Sequence, residues 1–140
     1  MDLTRLKNSI ALHEGFRSKP YKDTKGKLTI GFGRNLDDVP LSEEEGWYLA
    51  KELIQEAVDH ANLVVHDWNK LNDARQNVLV ELIYNMGLGK VLKFKLMRAA
   101  LDSQDYVEAA KQLLLSNWTK DVGPLRSRDM ALQLETGEWV

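Results

Sequence analysis

Cysteine is absent from this 140-residue chain, which excludes disulfides, thiol nucleophiles and thiolate zinc sites. Histidine is scarce. His13, His60 and His66 are the only three, none stands at an H-E-x-x-H or comparable ligand spacing, and no metal or other cofactor is expected. No apolar run approaches the ~20 residues that cross a bilayer, and the opening M-D-L-T-R-L-K-N-S-I lacks the apolar core of a secretory leader. The expectation is synthesis in the cytoplasm without stable membrane association. The net charge of −2 leaves no uniformly basic surface, so no nucleic-acid partner is expected.

What the chain does have is 44% hydrophobic residues, enough for one domain that buries roughly two-thirds of its unfolded surface. Its charge is unevenly spread. Residues 1–35 carry +5, residues 36–67 carry −8 and residues 68–140 carry +1. The N-terminal segment could therefore meet an anionic polymer, although solvated faces of opposite sign would give the same pattern. Nothing requires more than a monomer.

Leu3, Leu6, Ile10 and His13/Glu14 recur at helical spacing, with Asp2 as N-cap and Gly15 just past the end, which predicts a helix over about 2–13. Turn residues and alternation follow. The tetrad Asp23-Thr24-Lys25-Gly26 suits a tight turn between two strands. In the second strand Leu28, Ile30 and Phe32 face one way, and Thr29 and Gly31 the other. Ser42-Glu43-Glu44-Glu45 reads as a capping box opening a long helix. Asn72 caps a strongly apolar helix stopped by Gly87-Leu88-Gly89. Shorter helices are expected over about 91–102, 104–116 and 124–135. The predicted fold is α+β: a small hairpin lobe over about 14–41, a linking helix over about 42–64, and a helical lobe over about 65–140 on which the first helix packs.

Two carboxyl groups stand where glycosidic chemistry would want them. Cleaving a glycosidic bond needs an acid for the leaving oxygen and a second carboxylate for water or developing charge. Glu14 suits the acid, because an apolar helix stripe and the negative helix end would both raise its pKa. Asp23 suits the second role, on a wet turn among backbone N–H groups and flanked by Lys22 and Lys25. Thr29 could hold a water across the hairpin, with Gly31 leaving room for a sugar. Taken singly, each has an ordinary structural explanation: a fraying helix end, a D-x-x-G turn, a β-forming threonine.

Their spacing is more telling. Eight residues separate Glu14 from Asp23 and five separate Asp23 from Thr29, and Gly15, Tyr21, Gly26, Gly31 and Gly33 complete the series. The segment E-G-F-R-S-K-P-Y-K-D-T-K-G-K-L-T-I-G-F-G resembles the phage-type lysozymes, a glycoside hydrolase family. The resemblance continues through Tyr84-Asn85-Met86-Gly87, Phe94, Tyr106, Trp118 and P-L-R-S-R…T-G-E-W. It implies a lysozyme-like fold and a muramidase (EC 3.2.1.17 type) that cuts the β-1,4 bond between N-acetylmuramic acid and N-acetylglucosamine of peptidoglycan. It also implies inversion, with Glu14 as acid and Asp23, helped by Thr29, directing the water. Phe32, Tyr84, Asn85 and Gln112 are the expected substrate contacts, and Arg126 would reach back to Glu14. An enzyme of this kind would act on the wall after release by a holin or another route. The alternative is a catalytically silent wall-binding or virion module of the same fold.

Some positions depart from the family pattern. Arg34 stands where many members have histidine, so any ion pair there is altered. His13 replaces an acidic residue often found before the catalytic glutamate, and Asp129 stands where its basic partner belongs, so the pair is expected to have exchanged sign. Trp47, Trp68, Trp118 and Trp139 are read mainly as packing residues, with Trp68 in a loop between helices. Lys90, Lys93 and Lys95, around Phe94, read as a solvated helix face.

Overall fold

The computed structural model describes all 140 residues. They form two compact units, Met1–Tyr48 and Leu49–Val140. Helices dominate and a single small sheet lies in the first unit, so the architecture is α+β as expected.

In the first unit, helix α1 spans Leu3–Glu14. Asp2 caps it by accepting from the backbone N–H of Arg5 at 3.0 Å, which satisfies one of the unpaired donors at a helix start. Three strands follow: β1 (Arg17–Lys22), β2 (Leu28–Gly31) and a β3 of two residues, Arg34–Asn35, which the sequence reading did not anticipate. The sheet is antiparallel with β2 central; Tyr21 lies opposite Thr29, and Thr29 opposite Asn35.

The alternation in β2 does not bury the face expected. Leu28 and Phe32 are exposed, Ile30 is half-buried, and Thr29 at 3% exposure is the one fully buried side chain among the first 48 residues. A three-stranded sheet with strands of six, four and two residues is too small to build an apolar core, so alternation alone does not decide which face is covered.

Helix α2 spans Glu43–Ala61, beginning in the first unit and ending in the second. Its capping box is formed: the Glu45 N–H donates to Ser42 Oγ at 3.1 Å, and the Ser42 hydroxyl donates to Glu45 Oε1 at 3.2 Å. Arg34 completes the arrangement. Its guanidinium lies 2.9 Å from Glu45 Oε2 and donates to the Val39 and Pro40 carbonyls at 2.8 and 2.9 Å. The altered ion pair expected at Arg34 is thus a clamp between β3, the loop after it and the first turn of α2.

The Arg34 guanidinium, with the Ser42 backbone N–H, holds the Glu45 carboxyl below its ordinary value of 4.5. A carboxyl lowered by folding stabilises the folded chain above that value and loses the contribution as pH falls through the folded pKa. A carbon-13 NMR titration should therefore place the Glu45 midpoint below 4.5. In Arg34→Gln the midpoint should rise; an unchanged midpoint would show that the clamp does not hold the charge.

The second unit is helical and carries the hydrophobic core. After α2 come a 3-10 turn at Trp68–Lys70, α3 (Asp73–Met86), α4 (Leu88–Val91), α5 (Lys95–Asp102), α6 (Tyr106–Leu115), α7 (Trp118–Val122) and α8 (Pro124–Thr136). Leu79, Leu82, Leu113 and Leu134 are fully enclosed, and truncating one such leucine to alanine typically costs about 2–5 kcal/mol. Polar locks join the ends of α3 and α8. Arg75 donates to the Leu134 and Glu135 carbonyls, each at 2.8 Å, and its guanidinium stacks 3.6 Å from the Tyr106 ring centroid. Asn72 caps α3 as expected and also donates to the Gly137 carbonyl.

Trp118 is buried and Trp68 packs partly on the core. Trp47 and Trp139 are exposed, contrary to the packing role expected of them. No helix is long and apolar enough to cross a membrane.

Candidate active site

Glu14, Asp23, Thr29 and Phe32 all belong to the first unit. Glu14 is the last residue of α1, and Gly15, at φ +69°, turns the chain away. The apolar stripe expected to desolvate Glu14 is not found. Leu3, Leu6 and Ile10 are exposed, α1 buries no residue, and Glu14 itself is exposed. What meets its carboxyl is backbone. A Cβ built at Gly33 would lie 2.5 Å from Glu14 Oε2 and 2.8 Å from its Cδ. The carboxyl takes part in no hydrogen bond or ion pair within its unit.

The sequence reading had Gly33 in the spaced series but did not bring it against Glu14. Gly33 lies at φ +78° in the turn between β2 and β3, where only glycine is unstrained. Gly33→Ala is expected to cost about 1–2 kcal/mol through the backbone. It should also push the Glu14 carboxyl aside by about 1 Å, a displacement that can remove about a hundredfold in rate. Turnover of wall suspensions and a melting curve on the same variant check this. A stability loss with native turnover would show that the contact does not position Glu14.

Asp23 opens the turn foreseen for it. Its Oδ1 accepts from the backbone N–H groups of Lys25 and Lys27, both at 2.9 Å, while the backbone closes through Asp23 N–H to the Lys27 carbonyl, also at 2.9 Å. Oδ2 makes no hydrogen bond within the chain. The carboxylate is therefore oriented by two fixed donors and presents one free oxygen.

Thr29 is moored to the same residue. Its hydroxyl donates to the Lys27 carbonyl at 2.9 Å, so the oxygen keeps only acceptor capacity for a further partner. Lys27 thus fixes Asp23 through its N–H and Thr29 through its C=O. Phe32 is 52% exposed and packs on Phe16, with ring centroids 5.3 Å apart. The Phe16 partner was not foreseen; its only sequence signal is its place directly after Glu14-Gly15.

The remaining expected residues lie in the second unit. Tyr84 is 45% exposed and lines a cavity of about 170 Å³ with Leu53, His60 and Ile83. Asn85 has half of its amide committed, since Oδ1 accepts from the buried Trp118 indole at 3.0 Å. Gln112 donates to Glu108 Oε1 at 2.7 Å and borders a second cavity of about 250 Å³. Arg126 lies 3.8 Å from Glu81. His13 has the Ser9 hydroxyl at 3.5 Å from Nδ1, and Asp129 belongs to the second unit.

Glu14 and Asp23 supply two carboxyl groups and Thr29 a hydroxyl, the kinds of group that hydrolysis of a glycosidic bond uses. Comparison with known proteins agrees with this chemistry. The sequence model of the phage lysozyme family matches residues 11–131. The chain belongs to the phage lysozyme family. It is similar to two Dictyostelium discoideum proteins, probable T4-type lysozyme 2 at 25% identity and probable T4-type lysozyme 1 at 24%. Both alignments cover 96% of this chain and 96% of the relative. At family level the protein is a lysozyme, a glycoside hydrolase of the bacterial cell wall.

Proposed function

We propose that this phage-family lysozyme hydrolyses the β-1,4 bond between N-acetylmuramic acid and N-acetylglucosamine of peptidoglycan, with inversion at the anomeric carbon. The observation that carries the reading is the shared mooring of Asp23 and Thr29 on the Lys27 backbone, which ties a turn carboxylate with one unpaired oxygen and a β2 hydroxyl to the same residue. Glu14 gives its proton to the glycosidic oxygen as the C–O bond breaks. A water whose hydrogens are accepted by Asp23 and Thr29 attacks the opposite face of the sugar, and Asp23 takes the released proton. Phe32 offers an exposed aromatic surface for a sugar ring. No metal is assigned a part.

Mass spectrometry of the digestion products tests the bond and the reaction class together. Hydrated reducing N-acetylmuramic acid ends are expected. Anhydro ends would make the protein a transglycosylase, and no cleavage would leave a silent wall-binding module.

A further inference from the structure

The peptide group that joins Lys27 to Leu28 is held from both sides. Its carbonyl, on Lys27, accepts from the Thr29 hydroxyl and from the Asp23 backbone N–H, each at 2.9 Å. Its N–H, on Leu28, donates to Asp37 Oδ2 at 2.8 Å. The two groups belong to one rigid plane, so whatever fixes the N–H also fixes the direction in which the carbonyl points.

Asp37 stands in for a strand that ends too soon. Strand β3 pairs with β2 only through Arg34 opposite Ile30 and Asn35 opposite Thr29. The last main-chain contact is from the Leu36 N–H to the Leu28 carbonyl, at 2.8 Å. The chain then turns away: Asn35 Oδ1 accepts from the Asp37 and Asp38 N–H groups, both at 3.1 Å, and the Val39 N–H returns to the Asn35 carbonyl at 2.8 Å. No further strand residue meets the Leu28 N–H, and the Asp37 carboxylate fills that place. A charged acceptor makes the bond one of the stronger kind. It also polarises the peptide, so that the Lys27 carbonyl holds the Thr29 hydroxyl more firmly. The neighbouring Asp38 acts on the Lys27 side chain instead, meeting Nζ at 3.2 Å in a pair open to solvent, a contact of little worth.

We propose that Asp37 is a positioning residue for hydrolysis. Through the Lys27–Leu28 peptide it keeps the Thr29 hydroxyl donating to Lys27, so that the acceptor side of that oxygen holds one direction for a hydrogen of the attacking water. The assignment rests on the part in catalysis read above for Thr29.

The test compares Asp37→Ala, Asp37→Asn and Asp38→Ala with the native chain on a soluble peptidoglycan oligosaccharide. Both aspartates are exposed, so all three variants should fold. A displacement smaller than the ~1 Å that removes about a hundredfold should lower kcat in Asp37→Ala by about tenfold, with KM unchanged. Asparagine keeps an oxygen for the Leu28 N–H, so Asp37→Asn should stay within about threefold of native. Asp38→Ala leaves the peptide plane untouched and should stay within about twofold. Native kcat in Asp37→Ala overturns the proposal, as does an Asp37→Asn no better than the alanine variant. An equal loss in Asp38→Ala also overturns it, by making the loop as a whole the support.

NMR of the free chain reads the same contact without turnover. In Asp37→Ala the couplings that report Thr29 χ1 should move from a single rotamer toward averaging, and the Leu28 amide proton should exchange faster by about tenfold. An unchanged Thr29 rotamer overturns the proposal. Should the native chain cleave no glycan, the hydrolase reading fails while the couplings still decide whether Asp37 holds Thr29.

Discussion

Glu14→Gln should clear no bacterial wall suspension within the range of a turbidity assay while melting as the native chain does. The glutamine amide keeps the size and polarity of the side chain but has no acidic proton for the leaving oxygen. Loss of a positioned general acid removes about 10²–10⁴ in rate. The fold has little stake in the residue. Glu14 is exposed and its carboxyl makes no hydrogen bond or ion pair within its unit, so the stability change should stay within about 0.5 kcal/mol, a shift of no more than about 2 °C in Tm for a chain of this size. Clearing at the native rate would remove Glu14 from the chemistry. A large drop in Tm would mean that its contact with Gly33 carries structure as well.

Asp23→Asn should lower activity by about 10²–10³ and leave the turn in place. Asparagine forms the same side-chain-to-backbone turn as aspartate, and its amide oxygen can still accept from the Lys25 and Lys27 N–H groups that now hold Oδ1. What replaces the free Oδ2 is an NH2, which cannot take a proton from water. The substitution therefore separates the two roles of this residue. Lost activity with native stability assigns Asp23 to catalysis; native activity would make it a turn former only.

Much of the fold was legible from local signals, because those elements are fixed by neighbouring residues. The Asp2 and Asn72 caps, the Ser42–Glu45 capping box and the Asp23 turn each depend on residues within four positions of one another, and each forms as the sequence implied. Elements without a period to read were missed. Strand β3 has two residues, and α4 and α7 have four and five, too few to show helical or strand spacing.

The site divides in the same way. The sequence offered Glu14, Asp23 and Thr29 as a spaced series, but their surroundings depend on contacts distant along the chain. Glu14 was expected against apolar side chains and lies against Gly33, nineteen positions on. Thr29 was expected on an open face and is buried, its hydroxyl turned to the Lys27 carbonyl. In a unit with no apolar core, hydropathy has little power to say which side chains are covered, so these environments could be read only from the folded chain.

The stereochemistry of the first product tests the joint action of Glu14 and Asp23 most directly. Proton NMR of a soluble peptidoglycan oligosaccharide, recorded in the first minutes of hydrolysis before mutarotation, distinguishes the anomers. A water directed by Asp23 and Thr29 onto the face opposite the leaving group gives the α-anomer first. Initial appearance of the β-anomer would mean retention, and would contradict the assignment of Asp23 as the residue that activates water.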